Sequence, residues 1–222
     1  MMSPDTKVFG IGMFKTGTTS LEDALDLLGM NHIPGVKYED CFLGLDDPEY
    51  DFSSHVFTDL EKKAIRDLTS SYNAFTDHPW MWCYKYCDQL YPDSKFILTT
   101  RSSPEKVADS EIKFWKAMNQ ASNIDPDTVE TPNRQLFIDR YVKHAEDVRS
   151  YFKDSPKFLE VCWENGDGWK ELMEFLVGPF PHSNSSQWVQ ERIKELKLYT
   201  DGKGRNTPEK REIARQDLLR GI

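Results

Sequence analysis

Cysteine is scarce in this chain of 222 residues, and long apolar runs are absent. The cysteines are Cys41, Cys83, Cys87 and Cys162, and no histidine pair completes a zinc pattern with them, so we expect reduced thiols. The N-terminus lacks the basic and apolar segments of a signal peptide, and no segment approaches the length of a membrane span. These absences indicate a cytoplasmic protein that does not act at a membrane.

Positive charge is in deficit, because 28 lysines and arginines face 37 aspartates and glutamates, which gives a net charge of −9. This balance argues against nucleic acid as a partner, since a nucleic-acid surface needs clustered cations. The acids are unevenly distributed: between Tyr38 and Asp59 there are seven acids and no lysine or arginine. This segment would repel a polyanionic ligand.

Predicted strands and helices alternate along the chain, without internal repeats or low-complexity segments. The predicted strands are 8–11, 73–76, 95–100 and 157–163, and the predicted helices are 18–28, 59–68, 79–91, 104–118, 134–152, 169–176 and 187–198. Such alternation is typical of an α/β fold in which helices flank a central parallel sheet. The length fits a single domain over residues 1–222.

Two irregular segments interrupt this alternation. Residues 31–57 interleave aromatic and acidic side chains between glycine and proline breakers, and they are equally compatible with an insertion that lines a pocket and with a solvated loop. Residues 119–132 form a polar stretch that we interpret as a candidate lid.

The first strand, loop and helix, within residues 7–29, predict an anion-binding site. The amides of a glycine-bounded loop and the positive end of the helix dipole converge on one anion in such a unit. The glycine spacing at 12–17 is that of a nucleotide-hydrolase P-loop, and Thr19 stands at the hydroxyl position. The lysine position, however, holds Thr18, and the only lysine of the loop lies upstream at Lys15. The usual charge clamp of a kinase or ATPase is therefore missing.

The sequence KTGTTSL after a strand resembles the 5′-phosphosulfate loop of the sulfotransferases, most closely their small, mostly microbial branch. Further segments in the family's order are TDHP at 76–79, YPDSKFILTTR at 91–101, ENGDGWKELMEFL at 164–176 and PFPHSN at 179–184. The resemblance implies a three-layer α/β sandwich in which 31–57 could line the acceptor pocket. It also implies transfer of a sulfuryl group from 3′-phosphoadenosine-5′-phosphosulfate (PAPS), without a metal, to a hydroxyl or amine, leaving adenosine 3′,5′-bisphosphate. Because the acid-rich segment would repel a polyanionic glycan, we expect a small-molecule acceptor that is neutral or cationic.

Lys15 is the first candidate catalytic residue. In-line sulfuryl transfer builds charge on the oxygen between sulfur and the leaving 5′-phosphate, and an ammonium group with loop N–H donors would stabilise that charge. The resemblance assigns this role to Lys15. It also implies that the cofactor contacts the residues that follow in the loop and helix start: Thr16, Gly17, Thr18, Thr19 and Ser20. An exposed loop lysine without a role is the alternative.

Arg101, at the end of the strand 95–100, predicts a second phosphate site. Arginine suits a phosphate by its forked geometry, and a serine on the following helix can complete the clamp. The resemblance places the 3′-phosphate of PAPS here. The family usually has the serine eight positions after the arginine, whereas Ser110 lies nine positions after Arg101, so Ser102 and Ser103 stay open as alternatives. An arginine that simply pairs with a nearby acid is the competing interpretation.

Asp77 and His78 are the candidate bases. An acceptor hydroxyl loses a proton as it attacks, so a carboxylate or imidazole has to lie within hydrogen-bond reach. The resemblance matches Asp77 to the aspartate of the family's TD-x-P motif, and His78 stays as the alternative because animal cytosolic relatives use a histidine. Asp77 could instead cap a helix that starts at Pro79.

Two other functions stay open: a P-loop nucleotide or small-molecule kinase, and a non-catalytic nucleotide-binding protein of the same fold. The displaced lysine and the lack of an evident magnesium carboxylate after an apolar strand count against the kinase. A turn with Lys203 and Arg205 loosely resembles a basic turn that supports the 3′-phosphate, and its role is left open. A homodimer stays open, because the sequence does not decide the oligomeric state.

Overall fold

The computed structural model of the chain describes residues 6–33, 55–121 and 133–177. The strands in these ranges are β1 (Val8–Gly10), β2 (Ala74–Phe75), β3 (Lys95–Thr99) and β4 (Phe158–Val161). The helices there are α1 (Thr18–Leu27), α2 (Asp59–Ser71), α3 (Trp80–Leu90), α4 (Pro104–Ala121), α5 (Arg134–Tyr151) and α6 (Trp169–Val177). The predicted order of elements is confirmed within these ranges, and the ends differ by a few residues.

The described strands form one four-stranded sheet in the order β2-β1-β3-β4, and every neighbouring pair is parallel. Phe9 of β1 lies opposite Phe75 on one side and Phe96 on the other, and Ile97 of β3 lies opposite Leu159 of β4. Because parallel strands end at the same edge, the loops after all four strands meet at one end of the sheet. The predicted α/β fold is confirmed.

The side chains of β1 point alternately to the two faces of the sheet, and the core has one layer on each face. Phe9 faces one side, where its ring stacks on Phe75 at 4.7 Å and on Phe96 at 5.3 Å between centroids. This layer, which α3 and α5 cover, also contains the fully buried Trp80. Each large side chain buried there contributes about 1.5–3 kcal/mol to folding.

Val8 faces the opposite side of the sheet, since successive side chains of a strand point to opposite faces. There it packs with Leu21 and Leu25 of α1 and with Leu172 of α6. Helices therefore cover both faces, which is the predicted three-layer arrangement.

The cysteines of the described ranges are free and buried. Cys83 and Cys87 lie one turn apart on α3 with their Sγ atoms 3.7 Å from each other, and Cys162 follows β4. The prediction of reduced thiols is confirmed for these three. Cys41, most of 31–57, most of 119–132, and the C-terminal region with 187–198, Lys203 and Arg205 lie outside the described residues.

None of the helices within 6–33, 55–121 and 133–177 combines the length and the apolar character that crossing a membrane requires.

Candidate active site

The loop after β1 is fixed against the end of β3. A Cβ atom on Gly12 would lie 2.0 Å from Oγ1 and 2.6 Å from the carbonyl oxygen of Thr99, so only glycine allows this close approach. The hydroxyl of the fully buried Thr16 donates to the carbonyl of Met13 at 2.6 Å and shares a hydrogen bond with Oγ1 of Thr99 at 2.7 Å. The Thr16 side chain was predicted to contact the cofactor. In the structure its hydroxyl forms hydrogen bonds to Met13 and Thr99.

The start of α1 carries no side-chain cap. Gly17 occupies the N-cap position with φ 97°, and the first turn contains no acid. In contrast, Thr58 at the start of α2 forms a capping box with Glu61. The first backbone N–H groups of a helix have no partner within it, and a helix start without a side-chain cap is a typical site for an anion.

Of the three residues that open α1, Thr18 is buried, and Thr19 and Ser20 are exposed. The end of β4 supports this helix start from the other side. Trp163 donates from Nε1 to the carbonyl of Gly17 at 3.2 Å. A Cβ atom on Gly17 would lie 2.4 Å from the same indole ring. The helix start is therefore held between the ends of two strands.

Lys15 adopts the left-handed backbone conformation with φ 64°, which is unusual for a long side chain. Its Nζ atom lies 4.3 Å from the centroid of the Phe114 ring on α4. A strained conformation of this kind costs about 1–3 kcal/mol and is often found at functional sites. The structure thus places the ammonium group between the loop and α4.

Asp77 and His78 follow β2 at the same edge of the sheet. Asp77 also has a positive φ, of 67°, and the His78 ring meets Trp82 edge-on at 4.7 Å. The prediction that Pro79 is the first helical residue is wrong by one position, because Pro79 occupies the N-cap and α3 begins at Trp80. Pro79 itself forms no side-chain cap hydrogen bond at the start of α3.

Glu111 and Arg140 join this region from α4 and α5. Oε1 of Glu111 lies 3.7 Å from Nη2 of Arg140, and both side chains are largely buried. Burial raises the pKa of Glu111, against the opposing charges of Arg140 and Lys15, and the nearby Asp77 raises it further. The carboxyl groups of Glu111 and Asp77 and the cations Arg140 and Lys15 therefore interact electrostatically near the loop after β1.

His144 of α5 forms a hydrogen bond to the residue directly before this loop. Its Nε2 donates to the carbonyl of Ile11 at 2.7 Å, directly before the loop. Burial lowers the pKa of His144 to about 4 against that hydrogen bond, so the imidazole is neutral near pH 7. His144 acts on the site through the backbone that it holds.

Arg101 belongs to a charged cluster after β3. Its Nη2 lies 3.2 Å from Oε1 of Glu164, and Nζ of Lys106 lies 3.3 Å from Oε2 of the same carboxylate. The backbone N–H and the hydroxyl of Ser102 also donate to Glu164. These Ser102 hydrogen bonds, with Lys106 and Arg101, lower the pKa of Glu164 to about 2. The predicted phosphate arginine is thus held by a carboxylate.

The serines named as alternatives occupy different places around this cluster. Ser102 contacts Glu164 directly, and Ser103 accepts from the backbone N–H of Lys106 at 3.4 Å at the start of α4. Ser110 lies at the end of the second turn of α4, and within the described residues no hydrogen bond joins it to Arg101. Nε of Arg101 is buried and has no hydrogen-bond partner there. Ser102 is therefore the serine in contact with the charged cluster.

Residues 7–126 match the family described as "Sulfotransferase domain". The chain belongs to this family. A solved sulfotransferase domain from the curacin biosynthetic pathway is similar, with a TM-score of 0.44 and 14% identity over 80% of this chain and 75% of that chain. No curated protein matches the chain at a significant level.

The sulfotransferase match includes every site residue predicted from the sequence, from Lys15 to Ser110. The residues that sequence reasoning missed lie partly beyond it. Glu164 directly follows a predicted strand end, which is a signal that could have identified it. Arg140 and His144 stand in the middle of an amphipathic helix, where no local pattern distinguishes them from core or surface residues.

Proposed function

We propose that this member of the sulfotransferase-domain family transfers a sulfuryl group from PAPS to a hydroxyl or amine of a small acceptor. The observation that carries the proposal is the uncapped start of α1, with Lys15 beside it and the Arg101 cluster at the end of the neighbouring strand. PAPS supplies the sulfuryl group in such a transfer, and its departure leaves adenosine 3′,5′-bisphosphate.

The loop after β1 suits the sulfated 5′ end. Backbone N–H groups of residues 17–20 stand at a helix start without a side-chain cap, and Lys15 adds one positive charge. In the transfer, Lys15 stabilises the negative charge that grows on the leaving 5′-phosphate oxygen. These two elements do the work that a metal ion performs in nucleoside triphosphate hydrolysis, so the proposed reaction needs no metal.

The cluster after β3 suits the 3′-phosphate, although a carboxylate competes there. Arg101 and Lys106 provide two cations against Glu164, and Ser102 adds a hydroxyl. The buried Nε of Arg101, which lacks a partner among the described residues, is a further donor that a phosphate could engage. The donor set therefore fits a phosphate that takes over part of the role of Glu164.

Asp77 is the proposed base, and His78 is the alternative. Asp77 stands after β2 at the edge that also carries Lys15, and the electrostatic influence of both reaches Glu111. The acceptor oxygen forms the new bond to sulfur, the bond from sulfur to the 5′-phosphate oxygen breaks, and the hydroxyl proton passes to the Asp77 carboxylate.

Calorimetric titration tests the proposal directly. We expect adenosine 3′,5′-bisphosphate to bind without a metal and ATP with Mg²⁺ to bind at least about tenfold more weakly, since the usual lysine clamp is absent. Tight binding of ATP with Mg²⁺ and no binding of the bisphosphate would instead indicate a P-loop kinase.

The variant Asp77→Asn separates an enzyme from a non-catalytic binding protein. We expect the variant to keep its affinity for the bisphosphate and to lose turnover of labelled PAPS by about 10²–10⁴-fold, the usual contribution of a general base. His78→Asn, measured in parallel, decides between the two candidate bases. If the wild-type protein binds the bisphosphate but turns over no acceptor in a screen of small alcohols, phenols and amines, the non-catalytic alternative is correct.

A further inference from the structure

Glu111 of α4 is a buried acid that the proposed transfer does not use. The residue is 8% exposed, and the other buried polar residues in the described part of the chain are threonines and a serine. Burying a carboxylate is unfavourable unless nearby charges compensate it. The charged groups that face Glu111 therefore indicate its role.

Three charged groups from three different elements act on this carboxyl group. Arg140 of α5 lies nearest, with 3.7 Å between its Nη2 and Oε1 of Glu111. Lys15 of the loop after β1 and Asp77 after β2 act on it through their charges. Because a Coulomb interaction is mutual, the charge of Glu111 attracts the ammonium group of Lys15 towards α4 as well.

Phe114 stands one helical turn after Glu111, so the two side chains share a face of α4. Nζ of Lys15 lies 4.3 Å from the centroid of the Phe114 ring, within the range in which an aromatic face attracts a cation. The Phe114 side chain is half exposed and belongs to neither layer of the core. The contact with Lys15 therefore accounts for this ring better than core packing does.

The backbone of Lys15 shows why such contacts are needed. Its φ of 64° lies in the left-handed region, and a strained conformation of this kind persists only where the surrounding structure holds it. The ring of Phe114 and the charge of Glu111 both act on the end of this side chain. Without them, we expect the lysine to relax and its ammonium group to move away from the start of α1.

We propose that Glu111 and Phe114 are positioning residues that hold the ammonium group of Lys15 beside the start of α1, and that Arg140 in turn holds Glu111. The inference rests on the proposed sulfuryl transfer and adds the residues that place its catalytic charge. Both residues act through Lys15 and not on the reacting atoms. Because charge on the leaving oxygen develops only during the transfer, a displaced ammonium group lowers the rate more than the affinity for the nucleotide product.

Chemical modification of the protein without nucleotide tests the contact itself. Acetic anhydride is applied to the wild type and to Phe114→Leu, and mass spectrometry measures how fast Lys15 is acetylated. Lys63, an exposed lysine of α2, is the internal reference. Phe114→Leu should make the acetylation of Lys15 about two- to fivefold faster, which corresponds to one cation–π contact at an exposed site. Phe114→Tyr keeps a ring and should restore the wild-type rate.

Single-turnover assays with labelled PAPS test the role in the transfer. Phe114→Leu should lower the rate about two- to fivefold, Phe114→Tyr should restore it, and calorimetry should give the same affinity for adenosine 3′,5′-bisphosphate in all three proteins. In a Lys15→Met background, Phe114→Leu should have no further effect, because a residue that acts through Lys15 then has nothing to position. Met118→Ala removes another exposed apolar side chain of α4 and, as the control, should react at the wild-type rate.

Glu111→Gln removes the charge of Glu111 and nearly keeps its shape, and thermal melting checks that it folds. The acetylation of Lys15 should become about threefold faster, because the carboxylate no longer attracts the ammonium group. Glu111 also faces Asp77, so this acetylation rate reports on the contact with Lys15 more directly than the transfer rate does. Glu111→Asp, which keeps the charge on a shorter side chain, is the second variant and should fall between the wild type and Glu111→Gln.

The outcomes separate this inference from the proposed function. Acetylation of Lys15 or a transfer rate that stays at the wild-type value in Phe114→Leu would overturn the positioning role, while sulfuryl transfer would stand. An equal loss of rate from Phe114→Leu in the Lys15→Met background would overturn it too. If the wild-type protein transfers no sulfuryl group from PAPS, both proposals fail together. Faster acetylation with slower transfer, both reversed by Phe114→Tyr, supports both.

Discussion

The loop after β1 and the charged cluster after β3 both gather hydrogen-bond donors and positive charge, but they are built differently. Main-chain groups and buried hydroxyls shape the loop, where Thr16 bonds to Thr99 and the first turn of α1 contains no acid. In the cluster, Arg101 and Lys106 already bind a carboxylate, Glu164. Because the first turn of α1 contains no acid, an anion would not compete with a carboxylate of that turn, whereas an anion at Arg101 would compete with Glu164.

This difference suggests distinct contributions to catalysis and binding. A rigid set of donors that needs no rearrangement stabilises charge as it develops, which accelerates a reaction. A compensated cluster holds its cations in place before the ligand arrives and so contributes mainly to positioning. The predictions below test this division, beginning with the largest expected effect.

Among changes to these two regions, removing the charge of the loop is expected to have the largest effect. Lys15→Met should lower the rate of sulfuryl transfer by about 10²–10³-fold, the usual loss when one donor to a developing oxyanion is removed. Affinity for adenosine 3′,5′-bisphosphate should change much less. Single-turnover assays with labelled PAPS measure the rate. Lys63→Met, at an exposed lysine paired with Asp67 on α2, is the control and should react at the wild-type rate. A rate of Lys15→Met within threefold of the wild-type rate would show that the charge of Lys15 does not stabilise the transition state.

Acid should weaken the two regions in different pH ranges. The folded pKa of His144 is depressed from 6.5 to about 4, so its stabilising effect is complete above pH 6.5 and is lost as pH falls towards 4. The expected loss is about 3 kcal/mol of unfolding free energy. The folded pKa of Glu164 is depressed from 4.5 to about 2, so its contribution is complete above pH 4.5 and is lost only below that value.

Urea unfolding between pH 7 and pH 3 measures these ranges. Relative to the wild type, His144→Gln should show a flatter dependence between pH 6.5 and 4, because glutamine does not titrate. Glu164→Gln should differ in its pH dependence only below pH 4.5. Identical profiles for the wild type and His144→Gln would mean that the imidazole is not held neutral under the loop.

Filling the space at Gly12 should break the packing of the loop. In Gly12→Ala the new Cβ would meet Thr99 at 2.0 Å, so backbone or side chain has to move, at a cost of about 1–3 kcal/mol. We expect a lower unfolding free energy and weaker bisphosphate binding. Gly168→Ala is the matched control, since its Cβ would meet nothing within 4 Å. Equal stability of the two variants would contradict the tight contact between the loop and β3.

Removing the competing carboxylate should have the smallest effect. Glu164→Gln is expected to increase affinity for adenosine 3′,5′-bisphosphate about two- to fivefold, because Arg101 and Lys106 no longer compensate an acid. Calorimetry measures the change. Glu160→Gln removes another carboxylate that pairs with an arginine, Arg149, at 2.6 Å, and should leave the affinity unaltered. Weaker binding in Glu164→Gln alone would show that this carboxylate positions Arg101 rather than competing for it.

The sequence was sufficient for the fold because its signals are local. Apolar runs such as 95–100 bounded by turn residues identify strands, and their alternation with helices implies a parallel sheet. The same rule places Lys15, Asp77 and Arg101 at one edge, since each follows a strand. The bounds of elements are not set by these local signals, as at Pro79, because a proline suits more than one position at a helix start.

The rest of the site depends on contacts between segments far apart in the chain. Trp163 reaches Gly17 across 146 positions, and His144 reaches Ile11 across 133. No pattern within α5 marks Arg140 as a partner of Glu111, because helix periodicity indicates which face is buried but not what it meets.

The two buried thiols of α3 provide the protein with an internal reporter. Cys83 and Cys87 are fully buried where α3 packs against the sheet, and burial with the neighbouring Cys83 thiol raises the pKa of Cys87. A thiol reagent can therefore modify them only when α3 separates from the sheet. The rate of alkylation therefore measures how often α3 separates from the sheet.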